Sequence, residues 1–175
     1  KDSGRHYTKI KGYIAYLGFF TAPYHYEAHL LPDDSIKITA KVYFTNHKVI
    51  GQEILEDMQY KLNEAAKIWN NSFPYEYRLT FDFQVTRVKK GASVKTKLVR
   101  GWTRGPYFSK WSYNRWGPRV LAHEMGHVLG LDDEYSNNPF GGNTSVCIRG
   151  SLMCTGKNIY PWHYYLVVRR LLCGL

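Results

Sequence analysis

Residues 117–134 read Gly-Pro-Arg-Val-Leu-Ala-His-Glu-Met-Gly-His-Val-Leu-Gly-Leu-Asp-Asp-Glu, and this stretch decides how the chain folds. Within it, His123, Glu124 and His127 form the pattern H-E-x-x-H. Because positions i and i+4 of an α-helix share a face, both imidazoles point the same way. That spacing suits two ligands of one zinc ion, with Glu124 beside them to take a proton from a zinc-activated water. The simpler alternative is a solvated helix with two ordinary histidines.

The residues around the motif predict a helix that ends soon after His127. Pro118 suits the first helical turn, where the N–H that proline lacks has no helical partner. Gly130 stands where a left-handed residue would end the helix. The turn would bring Asp133 back toward the metal, and the pattern becomes H-E-x-x-H-x-x-G-x-x-D. Further along comes Ser151-Leu152-Met153-Cys154, a candidate methionine turn.

Residues His123 to Tyr135 and Ser151 to Gly156 together resemble the metzincin zinc endopeptidases. The nearest likeness is the snapalysin-type branch, whose third zinc ligand is aspartate. The resemblance implies one catalytic Zn²⁺, three ligands, a general base and a structural methionine beneath the metal. In that order, the ligands, the base and the methionine are His123, His127, Asp133, Glu124 and Met153.

The same resemblance implies an α/β (α+β) fold of the zincin-like metzincin type over residues 1–175, as a single zinc metallopeptidase catalytic domain. We expect a twisted mixed sheet with a backing helix and an active-site helix, and a small C-terminal subdomain with the Met-turn and a terminal helix. The Asp-Glu-Tyr ending at Tyr135 and the later Pro161-x-His163-Tyr164 are also similar, more distantly, to metallopeptidase domains of bacterial secreted effectors and toxins.

Length and composition indicate one globular domain. The chain has 175 residues, of which 44% are hydrophobic. No apolar run approaches the roughly 20 residues that a membrane-spanning helix needs. There is no signal peptide and no initiator Met, so we expect a processed form or a domain cut from a longer protein. We expect it to be a monomer, secreted or delivered to an extracytoplasmic compartment such as the periplasm or a target cell.

The net charge of +10 comes entirely from the second half of the chain. Residues 1–82 hold ten basic and ten acidic side chains, and residues 83–175 hold fourteen basic and four acidic ones. Those four acids are Glu124, Asp132, Asp133 and Glu134, so the negative charge that a divalent ion requires lies within the motif. No acid follows Glu134, which excludes a thermolysin-like glutamate ligand on a later helix.

The basic half suggests an acidic partner, such as anionic cell wall, although a high isoelectric point is also common in small secreted proteins. Residues 101–116 interleave aromatic and basic side chains. Such a stretch can stack nucleobases, but no nucleic-acid motif accompanies it, so we do not predict nucleic acid as a partner. We predict that it covers the sheet and the cleft.

The third ligand and the group that stabilises the oxyanion stay open. His163 or Glu134 could replace Asp133 at the metal. A hydrogen bond to the oxyanion could come from the cluster just past the Met-turn. That cluster comprises Tyr160, His163, Tyr164 and Tyr165. The alternative is that these rings pack the start of the terminal helix.

Hydrophobic periodicity places the other elements. We predict strands at 13–20, 35–44, 75–85 and 92–100, a helix at 51–70, and a terminal helix from Pro161 that packs Leu166, Val167, Leu171 and Leu172 beneath the site. Residues 92–100 are the candidate edge strand for an extended substrate. Residues 22–31 read as a loop, and we do not expect its His25 and His29 to bind metal.

The three cysteines allow one bridge. Cys147 and Cys154 bracket the methionine turn, where a disulfide would fit an oxidising compartment, and two buried thiols are the alternative. We predict that Cys173 is a buried thiol in the terminal helix.

These observations favour a zinc-dependent metalloendopeptidase acting on a protein or peptide substrate. One alternative is an amide hydrolase that cuts the peptide stems of peptidoglycan with the same zinc site. The other is a non-catalytic basic and aromatic binding module in which the histidines are structural.

Overall fold

A computed structural model of the chain describes residues 7–16, 20–72, 78–103, 109–134 and 147–174. These residues form six strands and three α-helices. The strands are β1 (Tyr7–Tyr16), β2 (Phe20–Leu30), β3 (Ile36–Phe44), β4 (Leu79–Thr86), β5 (Val94–Val99) and β6 (Lys110–Ser112). The helices are α1 (Gln52–Asn71), α2 (Pro118–Val128) and α3 (Pro161–Gly174). None of these helices combines the length and hydropathy needed to cross a membrane. The predicted mixed α+β class is confirmed.

Strand β3 is the centre of a mixed sheet. It runs antiparallel to β2, which is antiparallel to β1. It runs parallel to β4 along one edge, over Ile36 to Tyr43. Strand β5 continues beyond β2 on the other edge, parallel to β3, and β6 lies outside β5. Helix α1 makes the crossover from β3 to the parallel β4, a connection too long for a hairpin.

One face of the sheet and two helices enclose the core. The alternating residues Ile38, Ala40, Val42 and Phe44 of β3 are all buried, as the sequence predicts. Helix α1 faces them with a stripe at helical spacing. That stripe comprises Leu55, Met58, Leu62, Ala65, Ala66 and Trp69. Helix α2 is tied to α1 because the Trp69 indole N–H donates to the carbonyl of Ala122 at 3.0 Å. Helix α2, which carries His123 and His127, is thus fixed on the helix side of the sheet.

Two predictions in the sheet are wrong. Residues 22–30 of the predicted loop 22–31 belong to strand β2, because antiparallel pairing with both β1 and β3 outweighs the turn signal of Pro23. Strand β5 is not the edge strand, because neighbours bind it on both sides. The Thr45 N–H donates to Thr96 on one side, and the Lys97 N–H donates to Ser109 on the other. The strand predicted at 75–85 begins at Leu79, and residues 73–77 lie outside the described part.

The stretch 101–116 is part sheet and part surface. Trp111 is fully buried in β6, so it belongs to the sheet itself and does not cover it. Trp102 is 81% exposed, with the Arg115 guanidinium 5.2 Å from its ring centroid. Residues 104–108 lie outside the described part.

Helix α3 begins at Pro161, as predicted, and buries Val167 and Leu171. Two predictions on this helix are wrong. Leu172 is 71% exposed, and the Cys173 thiol is exposed and free. Both residues lie on the water-facing side of the last helical turn. The apolar sequence of this turn does not distinguish its exposed side from its buried side.

Candidate metal centre

The end of helix α2 creates the turn that the motif requires. The Leu131 N–H donates to the carbonyl of Gly126, and the Gly130 N–H donates to that of His127, both at 2.9 Å. This pair of hydrogen bonds is a Schellman motif. Gly130 has φ of +90°, which an L side chain rarely adopts. The chain therefore reverses directly after the helix and returns Asp133 to the two histidines.

Backbone carbonyls fix the orientation of both imidazoles. His123 Nδ1 lies 2.7 Å from the Leu152 carbonyl, and His127 Nδ1 lies 2.8 Å from the Leu131 carbonyl. A carbonyl only accepts, so each Nδ1 carries the proton. In the neutral rings the lone pairs are then on Nε2, the arrangement that a metal-binding histidine needs.

Both Nε2 atoms converge on one carboxylate oxygen. Asp133 Oδ1 lies 3.1 Å from His123 Nε2 and 3.3 Å from His127 Nε2. The three candidate ligand atoms lie within 4.8 Å of one another. With neutral imidazoles no proton joins them, and Oδ1 is buried without a hydrogen-bond donor among the described residues. Three lone pairs that face each other at these distances require a positive centre, either a proton on one ring or a cation.

The pKa values of His123 and Asp133 are shifted in opposite directions. Burial acts against the charged form of both His123 and Asp133. The opposite charges of Asp133 and Glu124 outweigh burial at His123 and raise its pKa, while the two nearby imidazoles hold the pKa of Asp133 well below its usual range. A donor set of two imidazoles and one carboxylate is one that catalytic zinc takes in proteins. The residues therefore fit the metal that the sequence predicts.

The predicted methionine turn lies against helix α2. Leu152 supplies the carbonyl for His123, and Met153 is buried, with its carbonyl accepting the Glu134 N–H at 2.9 Å. A Cβ on Gly126 would come within 2.4 Å of the Met153 sulfur. Gly126 is thus the residue of the helix that lets the turn approach so closely.

Two of the three cysteines are paired. Cys147 and Cys154 form a disulfide, with 5.5 Å between their Cα atoms. It closes a short loop at the turn that carries Leu152 and Met153.

Glu124 is buried beside the three candidate ligands. Only 8% of the residue is exposed, and its Oε2 atom has no hydrogen-bond partner in the described part of the chain. Burial is the main cause that raises the pKa of this carboxyl to about 7, against the nearby charges of His127 and His123. A carboxyl with a pKa near neutrality can both accept and return a proton.

His163 does not lie with the three ligand atoms. Its Nδ1 accepts the Tyr160 N–H at 2.8 Å, so the proton is on Nε2, which donates to Glu134 Oε1 at 2.8 Å. Both ring nitrogens of His163 are therefore engaged in other hydrogen bonds, and neither His163 nor Glu134 belongs to the group of three converging ligand atoms. Glu134 also accepts the Trp162 indole N–H at 3.1 Å.

The three tyrosines predicted as oxyanion donors have different surroundings. Tyr164 is buried, and its hydroxyl donates to the Trp69 carbonyl at 2.6 Å within the core. Tyr165 is 63% exposed. Tyr160 stacks on Trp162 with 4.4 Å between ring centroids.

Sequence reasoning missed one pair of residues. The hydrogen bond between Glu134 and His163 connects the residue after Asp133 to the first turn of α3. The available signal was a fourth acid next to the motif with a histidine further along, and in the sequence both residues have the character of alternative metal ligands.

His25 and His29 lie on strand β2. Among the described residues, His123, His127 and Asp133 form the one group of three or more side chains placed to hold a metal ion. Comparisons of the chain with protein-family models, with curated proteins and with solved structures found no match.

Proposed function

We propose that the chain is a zinc-dependent metalloendopeptidase. The observation that carries the proposal is the convergence of His123 Nε2, His127 Nε2 and Asp133 Oδ1, with the buried carboxyl of Glu124 beside them. Structural histidines in a binding module would not need three lone pairs directed at one point. This arrangement therefore favours the enzyme over the non-catalytic alternative.

Bound at this point, zinc would polarise the scissile carbonyl and make a water more acidic. Glu124 takes the proton of the attacking water on its carboxylate and delivers it to the leaving amine. The carbonyls of Leu152 and Leu131 keep both imidazoles in the tautomer that presents Nε2. Met153 packs beneath the helix and touches no substrate.

The disulfide supports the proposal of a secreted enzyme, because such bridges persist mainly in oxidising compartments. A secreted effector or toxin domain is compatible with that location. We propose a protein or peptide substrate. Purified peptidoglycan, tested in the same assay, distinguishes this activity from that of a cell-wall amide hydrolase.

The decisive experiment measures zinc by mass spectrometry in the wild type and in an Asp133→Ala variant, followed by hydrolysis of an unfolded protein. We expect one zinc per chain in the wild type and strongly weakened binding in the variant. A Glu124→Gln variant is the matched control, because it should keep zinc and lose hydrolysis. No zinc after reconstitution would overturn the proposal, and zinc with hydrolysis undiminished in Glu124→Gln would overturn the mechanism.

A further inference from the structure

The face of the sheet turned away from α1 carries lysines on four of the six described strands, β1, β3, β5 and β6. Cross-strand partners project to the same face. On the core face these pairs are apolar, such as Ile10 with Tyr26. On the other face Tyr43 pairs with Lys95, and Lys97 pairs with Lys110. The alternation therefore gathers one class of side chain on this surface, which we call the lysine face. Its lysines are Lys9, Lys11, Lys37, Lys41, Lys95, Lys97 and Lys110.

Only two acids on these strands oppose the lysines. Glu27 binds Lys41 at 2.7 Å, and Asp82 binds Lys37 at 2.6 Å. Seven lysines against two carboxylates leave a net charge of +5 on the described part of the face. The basic charge is thus concentrated on one surface of the molecule.

The lysine face is not apparent from the charge distribution along the sequence, because the fold brings its lysines together. Residues 1–82 carry equal numbers of basic and acidic side chains. Four of those lysines lie on the lysine face, while α1, on the opposite side of the sheet, carries four of the acids. The four acids are Glu53, Glu56, Asp57 and Glu64. Helix α1 also carries Lys61 and Lys67, so the charge-balanced segment is divided into a basic face and a helix with a net charge of −2.

The geometry suits a chain of regularly spaced negative charges. Lys11, Lys95, Lys97 and Lys110 are exposed. Residues two apart on a strand are separated by about 6.6 Å, and neighbouring strands by about 4.8 Å. Lysine is a compact, flexible point charge that neutralises phosphates without demanding a fixed geometry.

The side chains also indicate which polyanion fits. Single-stranded nucleic acid needs aromatic platforms for successive bases. Among the described side chains of the lysine face, the aromatic rings are those of Tyr43, His25 and His29, each of them only partly exposed. Large aliphatic side chains that could insert into a membrane are not among the described side chains of this face.

We propose that the lysine face binds a flexible linear phosphodiester polymer without bases, the chemistry of anionic cell-wall polymers. The face lies across the sheet from the candidate metal centre. Binding would hold the protein at a polyanionic surface and leave the candidate metal centre accessible. The proposal does not depend on the proposed catalytic activity.

The test measures binding of lipid-free poly(glycerol phosphate) to the whole chain over a series of salt concentrations. The face variant is Lys11→Gln/Lys95→Gln/Lys97→Gln. The matched control removes the same charge at exposed lysines outside the face, in Lys48→Gln/Lys67→Gln/Lys157→Gln. Lys97→Gln alone provides the same comparison should the triple variant prove unstable in thermal unfolding.

We expect salt-dependent binding by the wild type, an affinity at least about tenfold lower for the face variant, and a logarithmic salt slope smaller by roughly 2, since each phosphate contact contributes about 0.7. The control should bind within about twofold of the wild type, apart from the loss of overall charge. Absence of wild-type binding, or equal losses in the two variants, would overturn the proposal. Tighter binding to single-stranded DNA or to phosphatidylglycerol vesicles would overturn the choice of polymer.

Discussion

Replacing Glu124 with glutamine in the metal-free protein should change how the free energy of unfolding depends on pH. Burial raises the folded-state pKa of Glu124 to about 7, compared with an ordinary value of 4.5. Between these two values the folded chain retains a proton that the unfolded chain has released. Stability contributed by this group therefore falls as pH rises through that window.

The shift sets the size of the effect. A pKa that rises from 4.5 to about 7 corresponds to roughly 3 kcal/mol at 1.36 kcal/mol per unit. Glutamine is close in shape to the protonated carboxyl and does not titrate. The difference in unfolding free energy between Glu124→Gln and the wild type should be near zero at the acid end of the window. It should reach about 3 kcal/mol in favour of the variant above neutral pH.

Urea unfolding of both proteins in the presence of a chelator, across the range from acid to mildly alkaline pH, measures this difference directly. Because His123 and Asp133 titrate in both proteins, their contributions largely cancel in the comparison. Saturating zinc should reduce the difference, since a divalent charge favours the carboxylate. A difference that does not change with pH, or a wild type that gains on the variant as pH rises, would refute the buried-carboxyl reasoning.

Three further predictions concern the supports of the site. Gly126→Ala should destabilise the fold by about 1–3 kcal/mol in denaturant unfolding, because its Cβ would overlap the Met153 sulfur; an equal loss in a Met153→Ala background would show that the sulfur is not the cause. Glu134→Gln should weaken zinc binding by roughly 10- to 100-fold in competition with a chelator, because the adjacent ligand loses its anchor to α3; unchanged affinity would contradict that role. Changing both Cys147 and Cys154 to serine should lower stability by roughly 2–3 kcal/mol, as expected for a short closed loop, and a thermal midpoint equal to that of the oxidised protein would contradict it.

Several secondary-structure elements of this protein can be predicted from its sequence, because short-range interactions determine them. The helices at 51–70 and around His123, the strand at 35–44 and the left-handed residue Gly130 all arise from contacts within a few positions. Strand β2 was misread for the complementary reason. Its pairing with β1 and β3 outweighs the local signal of Pro23 and its histidines.

The sequence by itself determined that His123 and His127 share a helical face, that Glu124 lies beside them and that a turn follows. Those properties depend on helix geometry alone. The tertiary structure decided that Asp133 approaches the two Nε2 atoms and that Glu134 binds His163, which lies 29 positions further along the chain. It also decided that the lysines of a charge-balanced half gather on one face of a sheet. Contacts between distant segments depend on how strands and helices pack together, and no short-range pattern encodes them.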